Sequence, residues 1–430
     1  MHVSKKPIGF WSAVSMGVGA MVGAGIFALL GEASAISGEA VYISFILGGV
    51  IALLSGYSLG KLGARYPSSG GIVEYLSQSY GVGFFTGTMS IMLYFCAVVS
   101  LSLVAKAFGN YAATLLPASA ASFWHHVFAI GIVIFFVIIN LRGAQDMAVL
   151  ERIIVAIKFL VLSGLSVAGI IYMKPELLSP SGYPPVSNIF FSIAITFFAY
   201  EGFRVITNTA EDMPDPARTL PRAMVASIFF VMVLYIAVSF AVFGNLPVEQ
   251  VIKARDHALA QAALPIFGQA GFIIVAIAAV ISTASSINAN LYAVTNVTYQ
   301  LAKDGELPSA FKKPIAHSRE GLVISGILII LLSVLFNLSE IASIGSISIL
   351  FVHAITHIGH LKIISETRAS RSLVLLAAVF SLVAMALALV YVSRESGHVV
   401  SILAGFFIVA ASIEFSLRVI TKREVKPRMV

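Results

Sequence analysis

Apolar stretches of about 20 residues, the length an α-helix needs to cross a bilayer, recur along this 430-residue chain. They run 8–30, 40–60, 83–116, 124–141, 149–173, 187–209, 222–244, 268–300, 320–336, 341–361, 372–393 and 398–420. The third is long enough to tilt or to extend beyond the membrane. Twelve such segments predict an all-α integral membrane protein with both termini on one side. A chain that is 59% hydrophobic and only 11% charged, with mean hydropathy +0.96, does not have the composition of a soluble domain.

The basic residues fix the orientation. Of the 27 Lys and Arg, only Lys174, Lys253, Arg255 and Arg394 fall opposite the N-terminus, and Lys106 and Lys158 fall within spans. All the others share the N-terminal side, which is therefore expected to be the cytoplasm. The protein is expected in the cell (inner) membrane, multi-pass, with both termini cytoplasmic. The same asymmetry explains the net charge of +7 as topology, so no nucleic-acid partner is expected. A single cysteine, Cys96, excludes an internal disulfide framework. No cleavable signal is present, and the first span is expected to serve as its own insertion signal.

The connections are short. Tyr66-Pro-Ser-Ser-Gly-Gly-Ile-Val-Glu-Tyr-Leu76 reads as a turn leading into a short amphipathic helix. Leu301-Ala-Lys-Asp-Gly-Glu-Leu-Pro308 reads as a helix stop. The longest outer loop, Gly244–Gly268, is expected to be partly helical over Val248–Ala258. No soluble domain is visible, and 1–430 reads as one transmembrane domain.

The first span carries Gly17, Gly19, Gly23 and Gly25 in nine residues. Each glycine costs a helix roughly 1 kcal/mol relative to alanine, so the segment is weakest at its middle. One reading is close helix packing through small residues. The other is a break that lines a cavity and aims free N–H groups and a positive dipole end at an anion such as a carboxylate. The sixth span repeats the oddity: Thr196-Phe-Phe-Ala-Tyr-Glu-Gly-Phe-Arg-Val-Ile206 places a glycine and a charge among aromatic rings. The two weak segments lie five spans apart, and an odd repeat inserts its two copies in opposite orientations. Matching interruptions in two halves point to a transporter binding site, which favours the break.

Lys158 lies mid-way into the fifth span, where a lysine costs at least about 2.5–3.5 kcal/mol. It either snorkels to the interface about 9 Å away or serves as a proton carrier, because dehydration disfavours its ammonium. An ammonium can also stand where a transporter would hold Na⁺. Glu201, in the sixth-span break, is open to three roles: partner of a substrate ammonium, proton carrier, or carboxylate facing a wet vestibule. Lys106 reads as a snorkelling residue. The eighth span carries Ser282, Thr283, Ser285, Ser286, Asn288 and Asn290, which either bond within helices or line an ion or proton site. His353, His357 and His360 have the i, i+4 and i, i+3 spacing of metal ligands, but with no carboxylate or cysteine nearby in sequence they read as packing or interfacial residues. No metal site and no cofactor other than a coupling proton is expected. No catalytic constellation and no Walker loop appears, so neither an enzyme nor an ATP-driven pump is expected.

Four segments together carry a resemblance: Gly19-Ala-Met-Val-Gly-Ala-Gly-Ile-Phe27, Tyr66-Pro-Ser-Ser-Gly-Gly71, Phe197-Phe-Ala-Tyr-Glu-Gly-Phe203 with Ala210-Glu-Asp212, and Ala302-Lys-Asp-Gly-Glu-Leu-Pro308. The chain resembles the amino acid–polyamine–organocation superfamily nearly end to end, and is most similar to its prokaryotic proton-coupled members, which have a lysine where Lys158 stands. The resemblance implies a LeuT-type fold: a first repeat of five spans (8–173), an inverted second repeat (187–361) and two peripheral helices (372–420), with the first and sixth helices unwound mid-membrane. It implies a substrate carboxylate held by backbone N–H groups around Gly23, Ala24, Gly25 and Ile26. The substrate ammonium would meet carbonyls near Met21, Phe198, Ala199 and Glu201. It places Lys158 in a sodium-like site with the Gly19 carbonyl region and a hydroxyl such as Ser282 or Ser285. One departure is Arg204, which stands where many relatives carry an acid.

The function this implies is import of broad or neutral L-amino acids by proton symport with alternating access. The partners are an amino acid and the bilayer, with no obligatory protein partner. An ion-independent exchanger is the alternative, since a lysine can hold a sodium-like site without titrating. A sensor that binds without transporting is disfavoured by the absence of a signalling domain.

Overall fold

The computed structural model describes residues 8–68, 70–142, 148–305 and 307–419. Sixteen α-helices occupy nearly all of this length: α1 Phe10–Ser37, α2 Val41–Arg65, α3 Ile72–Tyr80, α4 Phe84–Ala113, α5 Ala118–Leu141, α6 Ala148–Ile171, α7 Val186–Phe191, α8 Ile193–Tyr200, α9 Pro216–Phe243, α10 Val248–Lys253, α11 Ala258–Asp304, α12 Glu320–Leu335, α13 Leu338–Lys362, α14 Ile364–Thr367, α15 Arg371–Glu395 and α16 Gly397–Val419. Every apolar window of the sequence coincides with a helix to within a few residues at most ends. Lys5, Lys6 and the basic residues after Val419 lie outside the described residues, as do Ser69, Glu306 and the side chains of Ala24 and Arg152.

Among the described residues, ten helical segments are long and apolar enough to cross a membrane, and Phe10–Gly23 and Glu320–Leu335 are shorter apolar helices. The outer surface is apolar in the manner of a lipid-facing one: Leu160, Ile171 and Ile408 are 72%, 70% and 62% exposed. The polar content lies inside instead, with Lys158, His353, His357, His360 and a series of serines and threonines buried. In lipid this inversion costs nothing on the outside and requires each buried polar group to find a partner inside.

The packing centres on α1, which contacts α8, the following 3-10 helix Glu201–Asp212, α9, α11 and α6. Around this centre α2 packs on α9, α4 on α5 and α11, and α13 on α15 and α4. The N-terminal face also holds α3, the turn before it, α14, and a short antiparallel pair, β1 Pro314–Ile315 with β2 Ser318–Arg319. That hairpin lies in the connection after α11 and has no counterpart in the sequence reading. The helix stop is as read: Gly305 takes the left-handed conformation (φ 89°) and its N–H caps the Leu301 carbonyl, a glycine C-cap. On the opposite face the long loop is helical in part, with α10 followed by a 3-10 turn at Arg255–His257.

α11 is a single helix only in outline, because Gly268 (φ 64°, ψ −160°) breaks it between the outer segment and the span proper. Only glycine adopts that conformation without strain. Gly268→Ala is expected to cost about 1–3 kcal/mol, read as a lowered melting temperature in detergent. No side-chain clash contributes, since nothing lies within 4 Å of a Cβ built there.

Candidate functional site

The first and sixth spans cross at the centre of the molecule, and both lose α geometry there. In α1 the interruption is confined to Val22, whose ψ of 17° kinks an otherwise continuous helix. In the sixth span α8 ends at Tyr200 and the chain continues as a 12-residue 3-10 helix, Glu201–Asp212. Runs of 3-10 geometry longer than three or four residues are uncommon and often mark a functional hinge. The sequence placed the weak points correctly, but the first is narrower than an unwound stretch.

Two glycines allow the crossing. A Cβ on Gly25 would lie 2.2 Å from the Ala199 carbonyl oxygen, and one on Gly202 would lie 2.5 Å from both the Ala20 carbonyl carbon and the Met21 nitrogen. Each backbone therefore sits directly against the other. Tyr235, from α9, ties them together by donating its hydroxyl to the Met21 carbonyl at 2.7 Å and to the Ala199 carbonyl at 3.3 Å.

A cavity of about 40 Å³ opens beside this crossing, enough for about three waters at roughly 10–15 Å³ each. Of the residues expected to bind substrate, Met21, Gly25, Phe198, Ala199 and Glu201 line it. Gly23 faces Ser286 instead, and Ile26 is fully buried in the core. Ala24 lies outside the described side chains, although its backbone is helical. The carbonyls of Met21 and Ala199 already accept from Tyr235, so a substrate ammonium would share them rather than find them unoccupied. Tyr235→Phe leaves those two carbonyls short of a donor. It is expected to cost about 1–2 kcal/mol and to raise the KM for transport severalfold while the substrate accumulation ratio stays at its wild-type value.

Sequence reasoning missed the charge arrangement at Glu201. The carboxylate is buried, with Arg204 Nε 2.6 Å from its Oε1 and His353 Nε2 3.2 Å from its Oε2. Arg204 is one 3-10 turn along the same segment, so the i, i+3 spacing held the signal. His353 comes from α13, and no local pattern announces it. Arg204, Val205 and Asn290 line both the central cavity and a second one of about 50 Å³ that extends along α11 toward Thr298, Leu301 and the N-terminal face. The wider vestibule on the opposite face, about 620 Å³, is lined by Glu32, Lys106, Arg255, Asp256, His257 and Glu340 among others and shares no lining residue with the central cavity. There α1 presses against the outer loop, where a Cβ on Gly31 would lie 2.0 Å from the Arg255 carbonyl oxygen, and Arg255 pairs with Glu32 at 3.6 Å. The central cavity thus shares its wall with a cavity on the N-terminal side and shares none with the opposite vestibule.

Lys158 does not snorkel. It is 1% exposed, and its ammonium donates to the Gly19 carbonyl at 2.5 Å, three residues before the Val22 kink. Ser282 Oγ donates to the Val22 carbonyl at 3.0 Å, and Ser285 is buried on the same helix. So α6 and α11 each hold a backbone carbonyl of α1 at its weak point. Lys106 likewise does not snorkel. It is buried, and its ammonium caps the Ser333 and Phe336 carbonyls at the end of α12, where the helix dipole favours a cation. The three histidines of α13 are fully buried, which rules out an interfacial role.

A profile for amino acid permeases matches residues 8–412. Among curated proteins, the chain is 37% identical to an uncharacterized protein of Methanocaldococcus jannaschii, covering 98% of both chains. It is also 37% identical to the inner membrane transport protein YbaT of Escherichia coli, over 85% of both. The serine/threonine exchanger SteT of Bacillus subtilis is 27% identical, over 73% of this chain and 72% of that protein.

Proposed function

We propose, from the premise that the chain belongs to the amino acid permease family and is a multi-pass, LeuT-type membrane transporter of amino acids, that it imports neutral L-amino acids by proton symport. The observation that carries the coupling is Lys158, a buried cation bonded to the Gly19 carbonyl beside the kink of the first span. A protonated lysine ties α6 to α1. Loss of the proton removes both the charge and one donor, and α1 is then released to move. With the basic face assigned to the cytoplasm, substrate and proton enter from outside while Lys158 is charged, and deprotonation accompanies release inside.

Substrate binding follows the same crossing. The substrate carboxylate is received by backbone N–H groups of α1 among Gly23, Ala24, Gly25 and Ile26, with Gly25 at the cavity wall, when the Val22 kink widens into a helix start that favours an anion. The ammonium is received by the carbonyls of Met21, Phe198 and Ala199. Selection for neutral side chains follows from Arg204, which compensates the Glu201 carboxylate at 2.6 Å and leaves no unpaired negative charge for a cationic substrate. The repeat boundaries 8–173 and 187–361, with 372–420 peripheral, belong to the same reading, as does placement in the cell membrane with both termini cytoplasmic.

The test is uptake of labelled amino acids by purified protein in liposomes, with and without an inward proton gradient. Accumulation above equilibrium only with the gradient is the expected result. Exchange indifferent to the gradient would overturn proton symport in favour of an exchanger, the reading that the name of the Bacillus relative favours.

A further inference from the structure

One buried polar column lies outside everything assigned so far. It runs down α13 and α2 from the Glu201 carboxylate to the N-terminal face. His353 Nε2 stands 3.2 Å from Glu201 Oε2, and the rings of His353 and His357 are 5.7 Å apart, centroid to centroid. Below them, His357 Nε2 meets Ser55 Oγ at 3.0 Å and His357 Nδ1 meets Ser58 Oγ at 2.9 Å. The same Ser58 Oγ meets His360 Nδ1 at 2.8 Å, and His360 Nε2 meets Thr367 Oγ1 at 2.8 Å. Ser55, Ser58 and all three histidines are fully buried.

One self-consistent set of directions runs toward the N-terminal face. With the Thr367 hydrogen on the Ile364 carbonyl, Thr367 accepts from His360, whose Nε2 then carries the proton. His360 Nδ1 is then the bare nitrogen of a neutral ring and accepts from Ser58. Ser58, having given its hydrogen away, accepts from His357 Nδ1–H. His357 Nε2 is therefore bare and accepts from Ser55. The result is an unbroken donor-to-acceptor series from Ser55 to the Ile364 carbonyl, all of it polarised toward the N-terminal face. Packing alone does not require such a series, since apolar side chains of the same volume fill a lipid-buried helix contact without hydrogen-bonding demands.

We infer that this column is a proton route between the Glu201–His353 pair at the central cavity and the cytoplasmic face. The inference rests on the proton-symport reading and assigns it a path that Lys158 does not supply. A proton added at Ser55 Oγ displaces the Ser55 hydrogen to His357 Nε2. His357 passes its Nδ1 proton to Ser58, Ser58 passes its own to His360 Nδ1, and the His360 Nε2 proton passes to Thr367, which turns its own hydrogen from the Ile364 carbonyl to water at the N-terminal face. Each group gains one proton and loses one. The step from His353 to Ser55 and His357 crosses the 5.7 Å between the two ring centroids by rotation of the His353 ring. Other titratable groups brought to this face by the neighbouring elements are Arg204 on the 3-10 helix, Cys96 on α4, Glu74 and Tyr80 on α3, and Tyr66 after α2. Tyr80 donates to the Ile355 carbonyl and Tyr66 to Glu366, so these two are held beside the column rather than within it.

The experiment compares wild type, Ser58→Ala and His360→Gln in liposomes by two readouts: accumulation under an inward proton gradient, and substrate counterflow at equal pH on both sides. Breaking the column is expected to lower gradient-driven accumulation at least about tenfold, the scale of losing one positioned proton-transfer group, while counterflow stays within about twofold, as for a substitution away from the binding site. Variants that accumulate like wild type overturn the route and leave proton symport standing. If both variants lose counterflow as well, the column is structural packing and the route is overturned. Wild-type accumulation without regard to the gradient overturns the symport reading, and the route with it.

Discussion

Lys158→Ala is expected to abolish gradient-driven accumulation of amino acids, by more than about tenfold, while the protein remains folded. The ammonium bonds the Gly19 carbonyl, and that carbonyl lies about one helical turn before the Val22 kink. Removing it deletes this hydrogen-bonded link between α6 and α1 and, on the proposed reading, the coupling proton. Stability is expected to change little, because two effects oppose each other. The variant leaves a space where the long side chain lay, which destabilises, but it also removes a buried cation, whose desolvation cost is often as large as its interactions return. The checks are accumulation and counterflow in liposomes alongside a melting curve in detergent. Undiminished proton-driven accumulation would show that Lys158 is not the coupling group. Retained counterflow with lost accumulation separates coupling from binding.

Gly202→Ala is expected to remove both accumulation and counterflow. The added methyl would lie 2.5 Å from the Ala20 carbonyl carbon and the Met21 nitrogen, and 2.8 Å from the Ala20 oxygen. All three are backbone atoms, so no side chain can turn aside and the first and sixth spans must separate. Overpacking of this kind costs about 1–3 kcal/mol, which in a helical membrane protein is expected to lower the melting temperature by a few degrees. Transport is expected to suffer more, because the displaced atoms line the central cavity. Gly131→Ala is the control: nothing lies within 4 Å of a Cβ there, and it is expected to leave transport and melting unchanged. A Gly202→Ala protein with normal counterflow would mean that the crossing is looser than its distances indicate.

The sequence by itself determined the helices, because the bilayer permits no other use for apolar windows of that length. It determined the two weak points in the first and sixth spans and the Gly305 stop, and it singled out Lys158 as a cation inside a span. Each of these is a local property, set by hydropathy, charge or glycine within one segment. Only the tertiary structure decided what the buried polar groups meet. Lys106 read as a snorkelling residue, but it caps the end of α12, a helix more than 200 residues away in sequence. Glu201 gained Arg204 from its own segment and His353 from α13, and Tyr235 crossed from α9 to hold Met21 and Ala199. The spacing of His353, His357 and His360 suggested metal ligation, packing or an interface, whereas the serines that engage His357 and His360 stand on α2, about 300 residues earlier. The physical reason is the same in each case. A buried polar atom that its own segment does not satisfy must find its partner on another helix, and which helices are neighbours is set by packing that no single segment encodes.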